Sequence, residues 1–184
     1  VGAGYDYDEL AGPAGAVANA AGGDRIIVHP GTYDGDVRVD KPVIIEGALG
    51  EDRPVLVSDG ERVHGGILVD SDNIQLRRLE MTHTRGAGFG YLIEDVGSDN
   101  WLVEDCVLYS ARRGVHVRGA NATVRNNEVY DMGISGISAS ASGPVTITGN
   151  WVHDAYFDIN HPGNFGQIYG IDVEGNTTIY GESI

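Results

Sequence analysis

Gly114-Val115-His116-Val117, Asn121-Ala122-Thr123-Val124 and Asn126-Asn127-Glu128-Val129-Tyr130-Asp131 form one phrase, and the chain then writes it again. The second copy reads Gly136-Ile137-Ser138-Ala139, Pro144-Val145-Thr146-Ile147 and Gly149-Asn150-Trp151-Val152-His153-Asp154. Each copy holds three short segments in which apolar residues alternate with polar ones. Gly, Asn, Ser or Asp separates the segments, so they read as strands joined by tight turns rather than as helices. A strand-built repeat of this length predicts a solenoid whose coils stack and share one core.

The same three segments recur on either side of the doubled phrase. The first strand is expected at Gly66-Ile-Leu-Val69, Gly90-Tyr-Leu-Ile93, Gly114-Val-His-Val117, Gly136-Ile-Ser-Ala139 and Gly170-Ile-Asp-Val173. The glycines step by 24, 24, 22 and 34 residues (66→90→114→136→170). The second strand is expected at Ile74–Leu76, Trp101–Val103, Ala122–Val124, Val145–Ile147 and Thr177–Ile179, and the third at Leu79–Met81, Cys106–Leu108, Asn127–Val129 and Asn150–Val152. Period-two geometry then points Ile67, Val69, Ile74, Leu76 and Met81 inward, beneath Tyr91, Ile93, Trp101, Val103 and Leu108. Asn127 and Asn150 share one turn position, where asparagine tolerates left-handed geometry and can bond to its neighbours in a ladder. Leu79 and Cys106 hold that slot in the preceding coils, which marks Cys106 as a core residue.

Upstream, Asp24-Arg25-Ile-Ile-Val-His-Pro-Gly-Thr-Tyr33 and Val39-Asp40-Lys41-Pro42-Val43-Ile-Ile-Glu-Gly47 carry a family resemblance. They resemble the opening of right-handed parallel β-helix proteins of the pectate-lyase-like superfamily, which includes polysaccharide lyases, epimerases and viral tailspikes. The resemblance covers most of the chain after Pro13 and implies an all-β, right-handed parallel β-helix of about six rungs. Ala14, Val17, Ala18 and Ala21 have helical spacing, so Pro13 to Ala21 is expected to form a short N-terminal capping helix. The domain reading is a leader and cap over residues 1–24 and a β-helix over 25–184, with a long loop at 153–169.

Charge narrows the partners. The 184 residues carry 27 acidic against 12 basic side chains, a net charge of −15, and Lys41 is the only lysine. Such a surface repels phosphate backbones and anionic lipid heads, so neither nucleic acid nor membrane insertion is expected. Acidity with arginine preferred over lysine is similar to the composition of proteins from salt-loving organisms. With Cys106 as the single cysteine, no intrachain disulfide can form. The chain begins at Val1 rather than methionine, which fits a mature form after cleavage or a trimmed chain. Asn121-Ala-Thr123 and Asn176-Thr-Thr178 are glycosylation sequons at the same turn of their coils. Together these predict an extracellular or cell-surface glycoprotein.

Candidate chemistry is sparse. The superfamily resemblance implies that substrate lies on the outward face of the first strand, where Leu68, Leu92, His116, Ser138 and Asp172 are expected, next to Asp70, Glu94, Arg118, Ser140 and Glu174. His116 with Arg118, and Asp172 with Glu174, are the candidates for base and charge-neutralising groups of a lyase or epimerase acting on uronic acids. Tyr156, Phe157, Phe165 and Tyr169, in the one long loop, are candidates for stacking on a sugar or on a neighbouring subunit. Asp70 and Asp72 are candidate oxygen ligands for calcium, although no complete calcium motif surrounds them. Two functions fit. One is a non-catalytic surface module that assembles with copies of itself or neighbouring surface proteins, or binds polysaccharide. The other is a polysaccharide lyase or epimerase, or a fragment of one. No capping helix is expected after Ile179, so that end would present strand edges for end-to-end stacking.

Overall fold

The computed structural model describes residues 1–59, 66–86, 90–154, 169–175 and 178–179. A leader ends in one helical turn, α1 (Ala16–Asn19). The first coil is β1 (Arg25–Val28), β2 (Thr32–Asp34) and β3 (Val37–Val39), and the second is β4 (Ile44–Gly47), β5 (Val55–Ser58) and β6 (Ile67–Val69). Then come β7 (Gln75–Arg77), β8 (Glu80–His83) and β9 (Tyr91–Asp95), followed by β10 (Leu102–Glu104) and β11 (Val107–Val117). They are followed by β12 (Thr123–Arg125) and β13 (Glu128–Ala141), then β14 (Thr146–Thr148), β15 (Trp151–His153), β16 (Tyr169–Gly175) and β17 (Thr178–Ile179).

Like strands of successive coils stack in parallel. One sheet of seven strands runs β1-β4-β7-β10-β12-β14-β17. A second face carries β2, β5, β8, the first half of β11, the first half of β13, and β15. A third carries β3, β6, β9, the second halves of β11 and β13, and β16. This is the expected parallel β-helix. Its axis is filled by columns such as Ile45, Leu76, Val103, Val124 and Ile147, all 0% exposed. Each buried aliphatic contributes about 1.5–3 kcal/mol, and stacking lets every coil cover its neighbour's core.

The second and third strands follow the spacing read from sequence. Leu76 pairs with Val103, Val103 with Val124, and Val124 with Ile147. Met81 pairs with Leu108, Leu108 with Val129, and Val129 with Val152. The links Tyr109 to Arg113 and Asp131 to Ser135 are so short that strands merge across them into β11 and β13. Their bends fall at Ser110 and Asp131, with φ of 55° and 57°.

One coil departs from the expected register. Ile67 pairs with Ile93, not Tyr91, and Ile93 pairs with Val115, so matching glycines at 66, 90 and 114 misplaces β9 by two residues. The cause is Asp95, which ends β9 in the place that Val69 holds in the coil before. Its carboxylate accepts four backbone N–H bonds, from Gly97 (2.8 Å), Ser98 (2.6 Å), Arg118 (2.7 Å) and Gly119 (2.6 Å). A two-residue slip preserves which face each side chain takes, so the core survives while cross-strand partners change. Leu92, expected outward, is buried, and Glu94 takes its place in the outward row.

The asparagine ladder forms. Asn127 Nδ2 donates to Asn150 Oδ1 (2.8 Å) and to Val103 O (3.2 Å), its backbone N–H donates to Asn150 Oδ1 (3.0 Å), and Cys106 N donates to Asn127 Oδ1 (2.9 Å). Left-handed geometry falls one residue earlier than expected, at Arg78, Asp105, Asn126 and Gly149, which frees the next side chain to turn inward and bond. Cys106 closes the ladder as a core residue, and burial pushes its thiol pKa up to about 12.

The N-terminal end is closed by the leader. Leu10, Ala16 and Val17 join the core cluster over the first coil. The helix expected from Pro13 to Ala21 is cut to one turn, because Gly15 at its N-cap offers no side-chain acceptor and so short a helix cannot offset its own nucleation. Packing holds it, and Lys41, the only lysine, donates from Nζ to the carbonyls of Ala18 (3.1 Å) and of the C-cap Ala20 (3.0 Å) at its C-terminal end. Among the described residues no helix is long and apolar enough to cross a membrane.

Candidate functional site

The third face places one side chain per coil in an outward row. Leu68 pairs with Glu94, Glu94 with His116, His116 with Ser138, and Ser138 with Asp172. His116, Ser138 and Asp172 therefore share one line, as expected. Arg113, His116, Ser138, Ala139, Ser140 and Asp172 line a shallow pocket of about 160 Å³. That is below the roughly 300–1,000 Å³ of sites that enclose a small molecule. Glu174 pairs with Ser140 through its backbone, and its side chain lies outside the described residues.

Hydrogen bonding fixes what His116 can do. Arg118 Nε donates to His116 Nε2 (3.2 Å), so that nitrogen carries the lone pair. The ring proton then sits on Nδ1 and is donated to Ser138 Oγ (2.9 Å). The Ser138 hydroxyl passes its own proton toward Val115 O at 3.4 Å. Protons thus run one way, from guanidinium through imidazole and hydroxyl to a backbone carbonyl. A serine nucleophile needs the reverse, with imidazole accepting from the hydroxyl. Ser138 does not supply it, and the exposed Ser140 hydroxyl reaches Nε2 only at 3.5 Å, on the nitrogen that Arg118 already holds. The His116 pKa lies below its usual 6.5, chiefly because burial disfavours the charged ring, with Arg118 and Arg113 adding to the effect against Glu94 and Asp95.

The two arginines are also engaged. Arg118 Nη2 sits 3.1 Å from Oε1 of the buried Glu94. Arg113 bonds the Tyr91 hydroxyl and lies 5.2 Å from that ring's centre, and Tyr91 meets His116 edge-on at 5.5 Å. Sequence reading missed Tyr91, Arg113 and the Glu94–Arg118 pair. The signal was present in the outward row, but only once β9 is set two residues later.

The other candidates fare differently. Asp70 is bound by the Arg38 guanidinium, whose Nε donates at 2.7 Å, and Asp72 Oδ1 accepts from Asp99 N (2.7 Å). These bonds give both carboxylates partners within the fold, and no group of three or more metal-ligating side chains occurs among the described residues. Asn121 is exposed in a left-handed turn (φ 57°), open to modification. Tyr156, Phe157, Phe165 and Asn176 lie outside the described residues, as does the Tyr169 side chain.

On the second face a different surface appears. Tyr109, Tyr130 and His153 stack ring on ring at 5.2 Å spacing, and Trp151 lies 4.0 Å from His153. Tyr109 also donates to Glu80 Oε1 (2.8 Å), and burial with that bond pushes its phenol pKa up to about 12. Tyr109, Tyr130 and His153 spend their faces on each other, so the column holds coils together, while Trp151 at its edge stays 55% exposed.

Residues 57–184 match the model of the right-handed β-helix region, and the chain belongs to that family. No curated protein and no solved structure matches it.

Proposed function

We propose that this chain is a non-catalytic β-helix module of the cell surface or extracellular space, which holds a glycan against the outward row at His116. The observation that carries this reading is the direction of the proton chain: Arg118 occupies the basic nitrogen of His116. A uronate lyase needs that lone pair for the sugar's C5 proton and unpaired cations for the carboxylate. Here Arg118 is matched by Glu94 and Arg113 is held on Tyr91. What the pocket offers is a set of hydrogen-bonding groups, in Ser140, Asp172 and the guanidinium edge of Arg113. The acidic surface opposes a polyuronate and favours a neutral or amino-sugar glycan. The leader over the first coil supports glycan binding over head-to-tail stacking through that end.

A lyase or epimerase remains the second reading, favoured by a neutral imidazole flanked by two arginines. One experiment separates the two. The protein is titrated in high salt with neutral, amino-sugar and uronic oligosaccharides, while ultraviolet absorbance of unsaturated uronate is followed. The proposal expects binding of a neutral or amino sugar, weakened about tenfold by Arg113→Ala, with no absorbance change. Absorbance that grows with time and vanishes in His116→Gln establishes the lyase, and failure to bind any oligosaccharide removes the glycan reading.

A further inference from the structure

Away from the His116 row, two faces of the solenoid carry opposite charge in matching columns. On the seven-stranded sheet, Arg77, Glu104 and Arg125 stand in one outward column on β7, β10 and β12. One carboxylate therefore lies between two guanidiniums. Arg125 Nη2 sits 2.6 Å from Glu104 Oε1, but Arg77 Nε is 3.6 Å from Oε2, outside hydrogen-bonding range. On the second face, Glu80, Val107 and Glu128 form an outward column on β8, β11 and β13. Glu80 accepts from the Tyr109 hydroxyl (2.8 Å), and Glu128 Oε1 lies 3.3 Å from His153 Nε2. Among the described residues, the strand segments of this face contain no lysine or arginine. The side chains of Arg125 and Glu128 are 43% and 39% exposed, so both charges reach the surface. Elsewhere a net charge of −15 keeps copies of the chain apart.

The coil rise sets the spacing of both columns. Neighbouring strands stand about 4.8 Å apart, so Arg77 and Arg125 are separated by two rises, roughly 10 Å, as are Glu80 and Glu128. A second copy turned about a line parallel to the solenoid axis keeps its coils in step with the first. Both chains wind in the same sense, so strands that meet across such a contact run in opposite directions. The later column of the seven-stranded sheet then faces the earlier column of the second face. Arg77 comes opposite Glu80, and Arg125 opposite Glu128. The remaining outward columns meet in the same way, with Gln75 opposite Thr82 and Leu102 opposite Tyr109. Glu104 meets the uncharged Val107 and stays between its own two arginines.

We propose that copies of this chain associate side by side, the seven-stranded sheet of one against the second face of the next. A second copy is the partner these faces select, because their charges are opposite and their spacing is ruled by the same coil rise. The contact is heterologous, so it builds a ring or an open row rather than a two-fold dimer. It leaves the third face, with His116, outside the contact.

Sedimentation velocity over a range of concentrations reads the association. The proposal expects oligomers of the unaltered protein and association weakened roughly tenfold or more by Arg77→Gln with Arg125→Gln. Glu80→Gln with Glu128→Gln should weaken it to a similar degree. Cysteine pairing reads the contact itself without touching the charges. Protein carrying Gln75→Cys is mixed with protein carrying Thr82→Cys under mild oxidation, and disulfides joining positions 75 and 82 are expected in excess over like-with-like pairs. An unaltered protein that stays monomeric up to millimolar concentration would overturn the proposal. So would charge-neutralised variants that associate as the unaltered protein does, or pairs joining 75 to 75 as often as 75 to 82.

Discussion

Replacing Gly119 with alanine is expected to destabilise the protein by at least about 3 kcal/mol, the upper range for forcing an atom into packed backbone. A Cβ at this position would fall inside the contact radius of the Ser98 carbonyl oxygen, with the Ser98 backbone nitrogen also close. Backbone cannot step aside as a side-chain tip can. The same shift would pull the Gly119 N–H away from Asp95, which gathers four such donors and ends β9. For a chain of this size the loss corresponds to a fall of roughly 6–12 °C in melting temperature. Urea unfolding followed by the fluorescence of buried Trp101 reads it out. Gly22→Ala is the control, because its Cβ would meet only the Pro42 ring at 3.3 Å, and it should stay within about 1 kcal/mol. Equal stability of Gly119→Ala and the parent would mean that Ser98 and Gly119 are not packed as described.

Asn127→Ala is expected to cost about 2–4 kcal/mol, since it removes one acceptor and two donated bonds from a dry interior. The side chain serves three coils at once, reaching Cys106 N, Asn150 Oδ1 and Val103 O. After truncation the Cys106 N–H is left without its partner while still buried, and the Val103 carbonyl keeps only its ladder bond to β12. Asn150→Ala should cost a similar amount, through Asn127 and Val124 O. Because the two side chains share a bond, the double variant should lose less than the sum of the singles, and a double-mutant cycle measures the difference. Strict additivity in urea unfolding would show that the ladder does not act as a unit.

Much of the fold was readable because each coil repeats its own code. Val103, Val124 and Ile147 recur with polar neighbours and turn residues at fixed offsets, and a period-two pattern permits only one inward face. The asparagine pair was equally plain, although the left-handed turn belongs to Asn126 and Gly149 rather than to the ladder residues. Misreading came where the code was interrupted. A buried Asp95 looks like a surface acid until four N–H groups are seen to converge on it. Without that anchor the evenly spaced glycines at 66, 90 and 114 gave the wrong register for β9. The capping helix was overestimated because alanine spacing says little about what will cover the end of a solenoid, and the Lys41 contacts join parts of the chain far apart in sequence.

The site was readable as a row but not as chemistry. Period-two geometry brought His116, Ser138 and Asp172 together. It could not show that Arg118 turns back onto the imidazole two residues away, nor that Glu94 lies beneath Arg118. Such contacts depend on side-chain rotamers and on neighbouring coils, and they decide whether a histidine is a base or a structural hydrogen-bond acceptor.

Nitrogen-15 spectra of the His116 ring test the central claim most directly. They report which nitrogen holds the proton and where the ring titrates. A neutral ring protonated on Nδ1, with Nε2 accepting, is expected near pH 7, titrating below 6.5 because burial and the two arginines oppose the charged form. Arg118→Ala should raise that titration point toward the ordinary value and alter the Nε2 signal. A ring protonated on Nε2, with Nδ1 accepting from Ser138 and titrating at 6.5 or above, would contradict the account, because His116 would then be a free base facing a serine hydroxyl.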